Sequence, residues 1–282
     1  LLEQHLVKRS VDARRRDRIQ LIYSMDVRVK GEAALRRKHS RTPKVCSAPD
    51  TRYRYVGHAP AGFPSRPDHQ PVVIGAGPCG YFAALLLAQM GFQPLLLERG
   101  QQVKERTRQT FGFWRGQRGL DPESNAQFGE GGAGTFSDGK LYSQVSDPEH
   151  YGRKVLEELV ACGANAEILT HHHPHIGTFK LATVVRGLRA RIEELGGEVR
   201  FGTRVQRLQL APCSEPLKPW QLVGLELADG TTLPTRHVVL APGHSARDCF
   251  SMLEQVGVAI QAKPFSVGLR IEHPQQLIDQ AR

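Results

Sequence analysis

The fold is decided by residues 71–98, PVVIGAGPCGYFAALLLAQMGFQPLLLE. Val72-Val73-Ile74 is a short β-branched run, the composition of a buried strand. Gly75-Ala76-Gly77-Pro78-Cys79-Gly80 follows at once. Tyr81–Met90 is rich in small apolar residues and reads as a helix that Gly91 ends. Leu95-Leu96-Leu97 is a second buried strand, and it ends in Glu98. Strand, glycine turn, helix, strand and terminal acid is the order of a dinucleotide-binding βαβ unit.

Each position has a physical reason. Gly75 permits the tight turn. Gly77 lets the backbone approach a pyrophosphate, and Gly80 brings helix and strand close. The helix N-terminus supplies unpaired N–H groups and a positive dipole end for phosphate. Glu98 stands where a carboxylate accepts hydrogen bonds from ribose hydroxyls. A negative charge there repels a 2′-phosphate, so FAD or NAD is favoured over NADP at this site.

A long excursion, 101–147, comes next. Its segment 129–139 holds five glycines in eleven residues: Gly129, Gly131, Gly132, Gly134 and Gly139. Such a backbone can lie against a flat ligand, or it is a surface loop. Arg106, Arg108, Arg115 and Arg118 read as a solvated face from which one could reach a phosphate. Tyr151–Cys162 and Leu181–Leu195 carry apolar residues at helical spacing. Glu198–Leu210 alternates as a strand, Gln221–Pro234 reads as a hairpin around Asp229-Gly230, and His237–Ala241 is a buried strand leading into Gly243. Ala246–Val256 is a further helix, and Val258–Ile271 reads as new strands.

Composition limits the alternatives. The 282 residues carry a net charge of +10, and residues 1–60 hold 15 Lys/Arg against 6 Asp/Glu. That segment, with a strand over Ile19–Val29, is a small basic unit, and the Pro-, Ser- and Arg-rich stretch to about residue 70 is its linker. No apolar run is long enough to span a bilayer. No secretory signal opens the chain, and the five cysteines form no CxxC pair, so a reducing, cytoplasmic setting is expected without disulfides or structural zinc. His171-His172-His173-Pro174-His175 lacks metal-ligand spacing and reads as a polar loop. Cys79 reads as a small residue beside the ligand.

The order of these motifs resembles the two-dinucleotide-binding-domain flavoproteins. More narrowly, Lys8–Arg14, Ser124–Ser143, Pro174–Phe179, Gly243–Asp248 and Lys263–Pro274 are similar to the FAD-dependent family called NAD(FAD)-utilizing dehydrogenases. That resemblance implies that Gly75, Gly77 and Gly80, with Ala76, Pro78 and Cys79 between them, cradle the FAD pyrophosphate. It also implies that Glu98 binds the adenosine ribose with Arg99 beside it, that the Val205 backbone meets adenine, that Gly243 lies close to the cofactor, and that Gly131, Gly132, Ala133 and Gly134 run near the isoalloxazine. Relatives return to the first domain through a late strand and helix. The chain ends before such a return and begins without Met, so it is expected to be a fragment.

The expectation is an α/β fold: a Rossmann-type FAD-binding parallel sheet with a β crossover over 71–257, a small basic N-terminal α+β segment, and the start of a substrate domain over 258–282. The expected function is FAD-dependent oxidoreductase, passing hydride through the flavin to or from a small molecule, with NAD(P)H a candidate electron donor. Lys140 and His175, in the family-like loops, are the candidates for proton transfer. A competing reading takes the basic segment as an RNA-binding element of a tRNA-modifying flavoprotein, since a cluster of positive charge attracts phosphates.

Overall fold

The computed structural model describes all residues except 16, 144, 214–218, 266, 270 and 282. Strands β1 (Glu3–Asp12) and β2 (Gln20–Arg28) form an antiparallel hairpin, followed by α1 (Glu32–Lys38). The βαβ unit is β3 (Val72–Ile74), α2 (Pro78–Gln89) and β4 (Leu95–Leu97). Helices α3 (Val103–Trp114), α4 (Tyr151–Ala161) and α5 (Thr178–Glu194) lead to β5 (Glu198–Arg200). Then come β6 (Val205–Pro212), β7 (Trp220–Leu227), β8 (Thr232–Pro234), β9 (Val238–Leu240), α6 (Arg247–Gln255) and α7 (Gln275–Gln280). Among the described residues no helix is long and apolar enough to cross a membrane.

The central sheet is parallel, in the order β5-β4-β3-β9, and β6-β7-β8 form a separate antiparallel meander. The chain therefore builds outward from β3 to β5, crosses over through the meander, and returns on the other side of β3 as β9. That change of direction leaves a crevice at the strands' C-terminal ends.

The strands read as continuous apolar runs because both sheet faces are covered. Val73 and Leu96 face α2 and α5, packing with Ala84, Leu85, Val184, Leu188 and Ile192. Val72, Ile74, Leu95 and Leu97 face the meander, against Val205, Leu225 and Leu227. Burying one such side chain contributes roughly 1.5–3 kcal/mol, so these two layers hold the crevice walls.

Helix ends follow their sequence signals. Pro78 opens α2 from the N-cap Gly77, and Gly91 at φ 84° closes it, with Phe92 N–H donating to the Leu87 carbonyl. Gly196 closes α5 in the same way, with Gly197 N–H on the Ile192 carbonyl. These are Schellman ends, which need a left-handed residue after the cap.

Three expectations are corrected. The alternation over 198–210 is two strands in different sheets, because the chain leaves the parallel sheet at 201–204 to start the meander. Residues 101–147, read as an excursion of loops, contain α3; its core face is Val103, Arg106, Thr110 and Gly112, which carries no apolar period. Val258–Ile271 forms no strand among its described residues, and Phe265, Val267 and Leu269 are at least 80% exposed. A strand exists through its ladder, and among the described residues no strand pairs with this segment.

The stretch read as a linker is docked. Tyr53 and Tyr55 pack edge to face with centroids 5.1 Å apart, and Lys154 of α4 sits over both rings. Tyr55 donates to Gln89 Oε1 at 2.8 Å, and Lys154 pairs with Glu158.

Candidate dinucleotide site

The crevice at the ends of β3, β4 and β9 is a cleft of about 540 Å³ lined by Gly75, Gly77, Cys79, Glu98, Gly132 and Gly243, among others. That is within the size range of cofactor sites. The two glycine segments meet across it.

Packing explains Gly75 and Gly80 without any ligand. A Cβ on Gly75 would lie 2.3 Å from the Ala241 carbonyl oxygen, and one on Gly80 would lie 1.7 Å from the Gly75 carbonyl oxygen. Gly77 is different. Its backbone is extended (φ −77°), and the nearest atom to an added Cβ is the Gly132 Cα at 3.8 Å. The protein's own packing leaves room for a side chain at a cleft-lining position beside a helix N-terminus. The amides of Cys79 and Gly80, in the first turn of α2, have no acceptor among the described residues. A ligand approaching at Gly77 would meet the Cys79 donor, which lines the cleft.

Glu98 is buried at 5% exposure and holds three backbone amides. Its Oε2 accepts from Ala76 N–H at 2.8 Å, and its Oε1 accepts from Gly100 and Gly129, each at 2.9 Å. The carboxylate thus ties the first glycine turn to the second glycine segment. It also lines the cleft, where the expected ribose contact would fall.

The second glycine segment is built around Arg106. This side chain was read as part of a solvated face; it has no exposed surface. Its guanidinium donates to the carbonyls of Asn125 (2.8 Å), Ala126 (3.1 Å), Glu130 (2.7 Å) and Gly132 (2.8 Å), and more distantly to Gly129. It stacks over the Phe136 ring at 4.9 Å. Burial pulls its pKa down to about 10, with Glu98 and Glu130 opposing the shift. A loop of glycines has no side chains with which to hold its own carbonyls, and a planar five-donor cation gathers them from one point.

Glu130 is also fully buried. It accepts from Tyr81 Oη at 2.9 Å and from Val103 N at 2.5 Å, and Arg189 Nε lies 3.4 Å away. One carboxylate therefore joins α2, the first turn of α3 and α5. Burial and the Glu130 charge push the Tyr81 hydroxyl well above its ordinary range. No local pattern in the sequence marks either Arg106 or Glu130. The available signal was a long run of loop backbone that needed partners.

Most of the expected residues line the cleft: Gly75, Gly77, Pro78, Cys79, Glu98, Arg99, Gly132, Ala133, Gly134, Val205 and Gly243. Ala76, Gly80 and Gly131 lie behind it. Gly131 donates its N–H to the Ala76 carbonyl at 2.8 Å, and its missing Cβ makes room for Thr135. The sequence reading missed Phe128, Thr203, Arg204 and Phe250 as lining residues. Arg99 stacks over Phe128 at 4.7 Å and pairs with Asp248 of α6 at 2.8 Å, which ties the end of β4 to α6 beside the cleft.

Lys140 and His175 are brought together as partners in an isolated antiparallel bridge. They stand away from the cleft lining, and Lys140 is exposed beside Asp138. His171 and its neighbours meet the N-terminal hairpin instead: Arg9 donates to the Thr170 carbonyl, and His172 to that of Arg9.

A parallel sheet with a ligand crevice at its reversal point, a glycine turn and an open helix N-terminus define a Rossmann-type dinucleotide-binding protein. Residues 68–211, just over half of the chain, match the profile of the FAD binding domain, and the chain belongs to that family. An uncharacterised protein of Clostridium beijerinckii is 40% identical over 275 residues, covering 97% of this chain and 48% of that protein. The chain thus spans about half the length of this curated relative. Among solved structures, THI4 of Thermovibrio ammonificans is 16% identical with a TM-score of 0.44, covering 68% of this chain and 64% of that one. The 3-ketosteroid-Δ4-(5α)-dehydrogenase of Rhodococcus jostii is 17% identical with a TM-score of 0.38, covering 67% and 49%. Neither structural likeness bears on function at these scores.

Proposed function

We propose that the protein is an FAD-dependent oxidoreductase of the NAD(FAD)-utilizing dehydrogenase kind, acting on a small organic molecule with NAD(P)H as the electron donor. The observation that carries this reading is Gly77: a cleft-lining glycine that neither packing nor backbone conformation demands. FAD binding accounts for it. In this reading the amide of Cys79, which lines the cleft, binds the pyrophosphate, and Gly75 and Gly80 keep turn and helix close enough to present it. Glu98 accepts from the ribose while holding both glycine segments in place, with Arg99 beside it. Val205 meets the adenine, and Gly132, Ala133, Gly134 and Gly243 line the remainder. When bound, FAD supplies two-electron redox chemistry at its ring. The chain's own contribution is to bind and orient it. The division into 1–60 with a linker to about 70, 71–257 and 258–282 belongs to the same proposal.

The test is the visible spectrum of the purified protein. Bound flavin is expected, with bleaching on anaerobic addition of NADH or NADPH. Gly77→Val is expected to purify folded and colourless. Stoichiometric flavin in that variant would sink the assignment of the turn, and a colourless parent protein that takes up no added FAD would sink the whole reading.

A further inference from the structure

The β1–β2 ribbon has one apolar face, and it is open. In an antiparallel pair, residues directly opposite each other share a side, and the side alternates along each strand. The register therefore puts Leu21, Tyr23, Met25 and Val27 of β2 on one side, opposite Val11, Arg9, Leu6 and Gln4 of β1. By strict alternation Leu6 and Val11 would fall on different sides. The register shift between Leu6 and Lys8 brings them together. The six apolar side chains of this face are each 38–60% exposed. Its one charged residue is Arg9, and the strand acids Glu3, Asp12 and Asp26 all lie on the other side.

The ribbon meets the body through the outer edge of β1. Arg9 N–H donates to the Thr170 carbonyl at 2.7 Å, and His172 N–H donates to the Arg9 carbonyl at 3.0 Å. An edge contact positions the ribbon without covering a face. A two-stranded ribbon is marginal by itself in water, and burial of the apolar side would stabilise it.

Charge decides what kind of partner fits. Residues 1–60 hold 15 Lys/Arg against 6 Asp/Glu. Arg15 and Arg18 lie between the two strands, and Arg36, Arg37 and Lys38 make the last turn of α1. A second copy of the chain would set this charge against itself, with no carboxylate on either apolar face. A nucleic acid offers phosphates, and a face of one cation and six apolar side chains is poorly made for them. An anionic lipid surface suits both parts. The headgroup boundary takes the apolar side chains, the lipid phosphates take the surrounding cations, and Arg9 extends its guanidinium to the headgroups.

We infer that the apolar face of the β1–β2 ribbon docks on an anionic phospholipid surface, lying on the bilayer rather than crossing it. The site is independent of the FAD reading, because no residue of the ribbon lines the dinucleotide cleft.

The test is flotation of the full chain with vesicles of phosphatidylcholine alone and of an equal mixture with phosphatidylglycerol. Flotation with the mixture only is expected, reduced but not abolished by salt, since screening weakens the charge attraction and leaves the apolar contact. Met25→Asp and Ser24→Asp change the net charge equally on opposite sides of the ribbon. Met25→Asp is expected to weaken binding roughly tenfold or more, and Ser24→Asp far less. Met25→Trp and Ser24→Trp, each combined with Trp114→Phe and Trp220→Phe, carry a single indole on one side or the other and keep the test independent of any loss of folding in the aspartate variants. Emission of the Met25→Trp variant should shift to the blue and be quenched by brominated lipid, and that of the Ser24→Trp variant should do neither. No flotation with the mixture, equal losses in the two aspartate variants, or equal quenching in the two tryptophan variants would overturn the proposal. So would a dimer by light scattering that Met25→Asp dissociates, or tighter binding to polyuridylate than to the mixed vesicles.

Discussion

The Arg106 guanidinium lies 2.8 Å from the carbonyl oxygen of Gly132, and Gly132 in turn faces Gly77 across the cleft floor. A buried cation on α3 therefore sets the position of the backbone opposite the first glycine turn.

Arg106→Met should be severely destabilising. Methionine fills much of the volume but leaves the carbonyls of Asn125, Ala126, Glu130 and Gly132 without their donor. Stranding even two buried acceptors costs about 2–6 kcal/mol at the usual scale per group. Urea denaturation should show a lowered midpoint. Arg106→Lys should recover only part of the loss, since an ammonium cannot reach so many acceptors at once. A midpoint within experimental scatter of the parent in the methionine variant would refute the role.

The glycines of the first turn separate packing from ligand approach. Gly80→Ala forces a Cβ to 1.7 Å from the Gly75 carbonyl oxygen, so the turn or the helix must move. A loss of roughly 1–3 kcal/mol is expected, the scale of overpacking a tight site. Gly77→Ala meets only an ordinary contact at 3.8 Å and should melt with the parent in the absence of flavin. Thermal denaturation of the two apo proteins checks the contrast, and equal melting temperatures would contradict it.

Glu98→Gln tests the three-amide arrangement. The carboxylate accepts from Ala76, Gly100 and Gly129, and an amide nitrogen facing any of these would oppose donor to donor. Stability should fall by about 1–3 kcal/mol, and FAD affinity should fall with it as the two glycine segments separate. Chemical denaturation without flavin measures the first effect, and a flavin titration the second.

The contact between Tyr55 and α4 should depend on acid. Glu158 is raised by burial, but the hydrogen bonds from Lys154 and Gln89 outweigh that and hold its pKa below the ordinary 4.5. A carboxyl with a depressed folded pKa stabilises the fold above its unfolded pKa, and that contribution disappears as pH falls through the folded value. Partial exposure keeps the size small. Glu158→Gln should therefore be less stable than the parent at pH 7, with the gap closing below about pH 4.5. Melting temperatures across that range decide it; a constant gap would mean the charge is not the cause.

How much of this was legible beforehand depends on where each signal resides. The glycine turn, its helix and the closing acid were readable because a βαβ unit is local: strand, turn and helix are contiguous, and each residue's need arises within about thirty positions. The helix ends at Gly91 and Gly196 were readable for the same reason. The strand pattern over 198–210 revealed its period but not its partner, and the two halves joined different sheets. The apolar run at 258–271 showed that a period of two specifies a face and leaves the pairing open.

By itself, then, the sequence determined the class of fold, the position of the dinucleotide turn and the C-terminal ends of α2 and α5, since these follow from backbone sterics and short-range hydrogen bonding. Tertiary structure alone decided that Arg106, Glu98 and Glu130 are internal organisers of the glycine segments. It also decided that Tyr53 and Tyr55 dock on α4, and that Lys140 and His175 meet away from the cleft. A charged side chain has the same sequence whether it is solvated or buried. What separates the two cases is whether distant backbone arrives with enough acceptors or donors to replace its water, and that is settled only when the chain closes.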